Sequence, residues 1–264
     1  MVAPDYPRGT KGMKRAKILL WEIWLPIILV LLWLVLSASS TSIYFPPLAD
    51  ILERTGEVWF FQGIVDNLLP SLGRILAGLG FAVIVGVGGG ILLGLLPRFE
   101  ESIRPLLEFL RATPGVALLP IAIIFLGLDD KMKIFMIALA SMWPILLNAI
   151  DGVRSVEPVL LRVAESYRFS VMDRIRFIYL PNAAPQIFAG ARISVAIAAV
   201  VMVVTEMIGS ANGLGYYILD SQRTFNLLNM WSGIIILGLL GYLLNFAFRG
   251  FEGVALKWHH QKNG

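Results

Sequence analysis

Six stretches of this chain are apolar for about the length of a bilayer crossing, near residues 18–36, 72–96, 106–126, 132–150, 184–208 and 231–248. No other feature limits the fold as strongly. A helix needs roughly 20 apolar residues to cross about 30 Å of hydrocarbon. In lipid every backbone N–H and C=O has to be satisfied within the segment, so each stretch is predicted as a helix. Only 15% of the 264 residues are charged and 57% are apolar, where a soluble domain carries about a quarter charged residues. Such a chain needs lipid as a solvent, which argues against a soluble catalyst or a nucleic-acid binder despite the net charge of +4. It has no cysteine, which removes disulfides, thiolate metal sites and thiol nucleophiles. His259 and His260 form an adjacent pair in a polar tail and are read as tail, not as a metal site.

The basic residues sort if the N-terminus is cytoplasmic. Arg8, Lys11, Lys14, Arg15, Lys17, Arg98, Arg104, Arg154, Arg162, Arg168, Arg174, Arg176, Arg249, Lys257 and Lys262 then fall inside. Arg54, Lys131, Lys133 and Arg223 fall outside, and Arg74, Arg111 and Arg192 lie at or within helix ends. This asymmetry predicts six spans with both termini in the cytoplasm. The basic start, apolar stretch and small residues Ser37–Ser40 also resemble a secretory signal. The stretch is longer than a signal core, however, and carries Glu22.

Gly78, Ala82, Gly86, Gly90 and Gly94 recur every four residues, so one face of the second span is predicted to admit another helix closely. The glycine run 86–90 does not fit GxGxxG, since position 91 is Ile. Thr113-Pro114-Gly115, with Pro120 beyond, interrupts the third stretch and predicts a kink or a break lining protein or water. Glu206, Glu108 and Arg111 are ionisable near span ends, and a pathway role and snorkelling to the interface both remain open for them.

The loop 151–183 is the most informative segment. Ser155 is placed to cap a helix, with Glu157 in its first turn and Pro158 tolerated there. Val156, Val159, Leu160, Val163 and Tyr167 then form one apolar stripe, with Arg162, Glu165, Ser166 and Arg168 on the other faces. Ser170 and Asp173 pair as a capping box for a second segment that is expected to end at Leu180-Pro181. An amphipathic helix too short to span lies on the membrane surface or docks in a protein groove.

At this loop the sequence resembles a known family. The residues 148–158, then Ala164, Ser170, Ile178-x-Leu180-Pro181, Ala184-x-Gln186-Ile187-x-Ala189-Gly190-x-Arg192 and Glu206-Met207-Ile208-Gly209 are similar to the permease subunit of binding-protein-dependent ABC importers, of the nitrate/sulfonate/taurine/bicarbonate branch. Phe45-Pro46-Pro47, Ser71-Leu72-x-Arg74, Arg111-Ala112-Thr113-Pro114, Leu118-Leu119-Pro120 and Gly213-Leu214-Gly215-Tyr216-x-Ile218-Leu219-Asp220 extend it. The resemblance implies a type I ABC importer permease fold, all-α, with about six transmembrane helices and a short cytoplasmic coupling helix. It implies a homodimer in a bacterial cytoplasmic (inner) membrane, two ATPase subunits that carry ATP and Mg, and an extracytoplasmic solute-binding protein. No cofactor is expected on this chain, and no P-loop pattern occurs in it.

The implied layout is a basic tail over 1–17, a first span and outer loop over 18–42, the permease domain over 43–256 and a tail over 257–264. The family's coupling motif begins Glu-Ala-Ala with Gly six positions after the Glu. Here Arg162 takes the acidic place, Val163 and Ala164 follow, and Arg168 stands where glycine allows a left-handed helix end. Coupling to the ATPase is accordingly expected at Glu157, Arg162, Val163, Ala164, Glu165, Tyr167, Arg168 and Ser170. Helix position and the break nominate Thr113, Ser141, Met142, Thr205, Glu206 and Met207 for the translocation pathway. Arg74 and Arg223, near the outer side, are placed to favour a small anionic solute, to anchor the chain at the membrane interface or to dock the binding protein. The rival function is a secondary transporter, which would show two related halves.

Overall fold

The computed structural model describes residues 11–257, with side chains from residue 24 onward. Residues before Lys11, and the tail that holds His259, His260 and Lys262, lie outside the described residues. Regular structure in the described residues is helical throughout: α1 (Lys11–Ser37), α2 (Leu48–Trp59), α3 (Leu69–Leu95), α4 (Pro97–Ala112), α5 (Leu119–Leu126), α6 (Asp130–Arg154), α7 (Pro158–Ser166), α8 (Val171–Arg174), α9 (Leu180–Gly209), α10 (Leu214–Arg223) and α11 (Leu227–Ala255). Helix α1 starts at Lys11, so part of the expected basic tail is already helical.

Four uninterrupted helices are long and apolar enough to cross a membrane: Ile64–Leu95, Asp130–Arg154, Val171–Gly209 and Leu227–Ala255. The third apolar stretch is not one straight span. Its helix stops at Ala112, and Pro97–Ala112 meets Gly115–Leu126 at 85°. Thr113 is extended there (φ −70°, ψ 120°), as expected of a residue before proline. If the bent pair is one crossing, the described residues hold five, and α1 adds an apolar stretch over Trp24–Ser37.

The segment that starts at Ser170 does not end at Leu180-Pro181. It runs on without interruption from Val171 to Gly209. A π turn, Ile175–Tyr179, stands just before Pro181, as Ile64–Leu68 stands just before Pro70 at the start of α3. A widened turn makes room for the pyrrolidine ring and the carbonyl that loses its donor, so the helix passes the proline.

Helix α6 is the centre of the bundle, packed between α3 and α9. The small-residue stripe of α3 makes this possible. A Cβ added at Gly86 would lie 2.9 Å from Ile145, and one at Gly94 2.7 Å from Val153. Gly78 faces Ile137 and Gly90 faces Ala149 in the same way, with Ala82 fully buried between them. On the opposite side Gly190 of α9 lies against the Pro144 carbonyl, and Ser194 donates to the Ser141 carbonyl at 2.6 Å. Helix α2 lies across the Asp130 end of the bundle. There Leu48, Ile51 and Trp59 are buried, Trp59 Nε1 donates to Ser232 Oγ at 3.1 Å, and Arg54 Nε donates to Asn229 Oδ1 at 2.7 Å.

Candidate functional site: a surface helix and a polar clamp at opposite ends of the bundle

The short helix α7 begins where α6 ends. Ser155 belongs to the end of α6, with its hydroxyl on the Gly152 carbonyl at 2.8 Å, so it is not the cap expected of it. The N-cap of α7 is Glu157, and Pro158 opens the first turn, where no N–H is needed. The expected apolar stripe divides. Val156 (7% exposed) turns into the chain beside Ala164 and Ile178, with Leu161 and Tyr179 packed around them. Val159 (55%), Leu160 (40%), Val163 (48%) and Tyr167 (75%) face outward as a ridge. Four exposed apolar side chains on nine to ten residues form a patch that protein or lipid has to cover.

The helix end is built as the motif comparison requires, with an arginine where glycine was expected. Arg168 has φ 55°, the Arg168 N–H bonds the Glu165 carbonyl at 2.9 Å, and the Phe169 N–H bonds the Ala164 carbonyl at 2.9 Å. This is a Schellman closure with a left-handed residue at its corner. Ser170 follows as a full capping box with Asp173. Arg174 reaches back to Glu165 at 3.5 Å, tying α7 to the next helix across the corner. Of the nominated coupling residues, Ala164 is buried against its own chain, and Glu157, Arg162, Val163, Glu165, Tyr167, Arg168 and Ser170 are exposed.

The other end holds a clamp that sequence reasoning did not assemble. Arg74 of α3 and Glu206 of α9 form an ion pair at 2.6 Å with side chains 5% and 0% exposed. Arg74 also donates through Nε to Asp130 Oδ1 at 2.8 Å, through Nη2 to Asn212 Oδ1 at 2.6 Å, and through Nη1 to the Asn212 carbonyl at 3.2 Å. Its Nη2 lies 2.7 Å from Asp130 as well. Four hydrogen bonds and the further ionic contact to Asp130 thus engage the guanidinium within this chain. Glu206 in turn takes Ser71 Oγ, 2.8 and 2.9 Å from its two oxygens, and the Gly215 N–H at 3.0 Å. The Leu214 N–H donates to Ser71 Oγ at 2.9 Å, so the first turn of α10 is capped by side chains of α3 and α9.

Gly213 is the hinge of this arrangement. Its φ is 112°, and a Cβ there would lie 2.5 to 2.6 Å from the Glu206 carboxyl group. Asn67 accepts from its N–H at 3.1 Å. Lys133, buried on α6, adds a contact to Asp130 at 3.3 Å. Arg74 is therefore not free to attract a solute, contrary to the expectation, whereas Arg223 is exposed at the end of α10. The signal for the clamp was present only in part: Ser71 and Arg74, three residues apart, share a helix face.

Of the residues nominated for the pathway, Ser141, Thr205 and Glu206 are buried inside the chain, and Thr113, Met142 and Met207 are half-buried. Ser141 presents its carbonyl to Ser194, Met142 lies against α3 near Gly86, and Thr205 bonds the Met202 carbonyl. Glu206 is held in the clamp and does not snorkel. Thr113 stands at the break, its hydroxyl on the Phe109 carbonyl.

A multi-pass helical bundle with an outward-facing apolar ridge on a short helix between two spans is a membrane protein with a surface left for a partner or lipid to cover. The fold is that of type I ABC importer permeases. A chain of the MetNI methionine ABC transporter in an inward-facing conformation superposes with TM-score 0.62 at 18% identity, covering 74% of this chain and 96% of that one. A chain of an amino acid ABC transporter superposes with TM-score 0.56 at 14% identity, covering 80% and 96%. Residues 78–254 match the family described as the binding-protein-dependent transport system inner membrane component, and the chain belongs to that family. It is 32% identical over 91% of its length to a putative aliphatic sulfonates transport permease protein, SsuC, of Bacillus subtilis, covering 88% of that protein. It is 30% identical over 89% of its length to the taurine transport system permease protein TauC of Escherichia coli, covering 88%. The bicarbonate transport system permease protein CmpB of Synechocystis is 30% identical over 82% of this chain and 81% of its own length. The protein is thus an inner-membrane permease subunit of an ABC importer. It is not itself an enzyme, and ATP hydrolysis belongs to a separate chain.

Proposed function

We propose that this permease carries a small oxyanion, of the sulfonate, taurine or bicarbonate kind named for its relatives, delivered by a solute-binding protein on the Asp130 side. The sulfonate and taurine permeases among the relatives each match about nine-tenths of this chain, which supports that solute class. The Arg154 end is read as cytoplasmic, since it carries Arg154, Arg162, Arg168, Arg174 and Arg176. Two copies of the chain would form the route, and each would present α7 to one ATPase subunit.

The observation that carries this reading is the outward ridge of Val159, Leu160, Val163 and Tyr167. Behind it, Ala164 and Val156 fix α7 to the chain, and the corner at Arg168 joins it to the helix that runs on to Gly209. A movement imposed on α7 thus passes directly to a membrane-crossing helix. ATP on the partner supplies differential binding between two arrangements of the subunits, and the permease responds by shifting between inward and outward openings.

The test is Val163→Asp in the full importer. Burying a carboxylate in the ATPase groove costs several kcal/mol, enough to separate the subunits. Insertion should be normal, and co-purification of the ATPase and solute uptake should be lost. Normal co-purification and uptake would overturn the reading.

A further inference from the structure

We infer that Arg111 is the anion-recognising group of the solute route, set within the Arg154 half of the bundle on α4 where a small oxyanion meets it in transit. The proposal rests on the importer reading above and adds a residue to it.

The depth of Arg111 follows from contacts along α6. At the Arg154 end, the Glu100 carboxylate takes Arg154 at 2.7 Å and Arg104 at 3.1 Å. Further along, Ile103 and Leu107 pack with Leu146, Leu147 and Ile150. Past the end of α4, a Cβ on Gly115 would touch the Cβ of Ala140 at 3.4 Å. From Arg154 back to Ala140 is about 21 Å of helix rise at 1.5 Å per residue. Helix α4 therefore climbs beside α6, and Arg111, beyond Leu107 and one turn before Gly115, lies roughly 10 to 20 Å in from the Arg154 end on that scale. The hydrocarbon core is only about 30 Å thick.

An arginine at that depth is costly in contact with lipid and marks a pathway when it is present. Arg111 is exposed and makes no ion pair or side-chain hydrogen bond among the described residues. It lines a cavity of about 260 Å³ between α4 and α6, together with Glu100, Arg104, Glu108, Asp151 and Arg154. Glu100 is shared by Arg104 and Arg154, which leaves that trio with one net positive charge. The remaining carboxylates, Glu108 and Asp151, line the same cavity, which holds three groups of each sign, and Arg111 is the cation among them without an ion-pair partner in the described residues. The planar guanidinium fork suits the paired oxygens of a carboxylate, sulfonate or bicarbonate. Arg74 cannot do the same work, because it is buried and held by Glu206, Asp130 and Asn212.

The absence of cysteine makes the test direct. Leu107→Cys and Leu147→Cys each place one thiol in the cavity that Arg111 lines, in the full-length chain in membranes. Each is treated with a sulfonate-bearing and a trimethylammonium-bearing methanethiosulfonate, with rates normalised to a free thiol. The expected result is a preference for the anionic reagent of about fivefold or more, the field of one charge in a narrow polar cleft. The preference should vanish when Arg111→Gln is added, with reactivity toward the cationic reagent retained. A preference that survives Arg111→Gln would overturn the proposal. So would failure of both thiols to react with either reagent, the result expected if the guanidinium were held by a lipid phosphate or packed dry. The assay needs no ATPase, so it stays readable if the importer reading fails at α7.

Discussion

Arg74 and Glu206, distant in sequence, meet at 2.6 Å with almost no exposure of either side chain, and the two together hold five segments of chain in register. Through Arg74 the pair reaches α6 at Asp130 and the α9–α10 turn at Asn212, and through Glu206 it reaches Ser71 and Gly215. Buried ion pairs contribute little net stability when complete, but removing one partner leaves an uncompensated charge.

Glu206→Ala should accordingly destabilise the protein by about 3 to 5 kcal/mol, because Arg74 then keeps its charge in a buried site with Asp130 alone. Thermal unfolding in detergent measures it. The double variant Glu206→Ala with Arg74→Met should recover a large part of the loss, and no recovery would show that the charge is not the cause.

Gly213→Ala meets two obstacles at once. The φ of 112° disfavours any side chain, and the new methyl would run into the Glu206 carboxyl group. A loss of about 2 kcal/mol or more is expected from backbone strain and contact together. Unfolding midpoints of this variant and of Gly238→Ala, where nothing lies within 4 Å, provide the comparison.

Gly90→Leu should break the contact between α3 and α6, since a side chain there has no room beside Ala149. Overpacking of a tight helix pair costs about 1 to 3 kcal/mol or displaces a helix. Size-exclusion chromatography should show loss of monodisperse protein, whereas Gly88→Leu on an open face should leave it intact.

Arg168→Gly should stabilise the corner after α7 by up to about 1 kcal/mol, since a left-handed residue other than glycine costs roughly that amount. Arg168→Val should have the opposite sign. Hydrogen exchange at the Arg168 and Phe169 amides reads the corner directly.

Glu165→Arg should weaken association with the ATPase, because Glu165 is the exposed acid nearest the place where the family pattern has its Glu and Arg162 stands instead. Co-purification and ATP turnover of the reconstituted importer measure it, with unchanged values counting against a role for the charge.

The parts that were legible in the sequence are those set by short spacings. Small residues at every fourth position mark a close helix face, and Ser170 with Asp173 marks a helix start, because both depend only on local geometry. The left-handed corner at position 168 was legible through the family pattern alone. What escaped was long-range or compensatory. Arg74, Asp130, Glu206 and Asn212 carry no shared local signal, so their convergence depends on how three helices dock. Pro181 looked like an end because a proline usually stops a helix, and the π turn before it is what lets the helix continue. Val156 and Tyr167 share a periodic stripe, but only packing decides which faces the chain and which faces outward.

The uninterrupted helix from Val171 to Gly209 gives the molecule a long lever. Its 39 residues make a rod of about 58 Å, with the α7 corner at one tip and the Glu206 clamp near the other. Tilting such a rod about its middle by about 5° displaces each tip by roughly 2.5 Å, close to the length of one hydrogen bond. A nudge too small to unpack the bundle at one membrane face is thus large enough, at the opposite face, to pull a carboxylate out of reach of its donors.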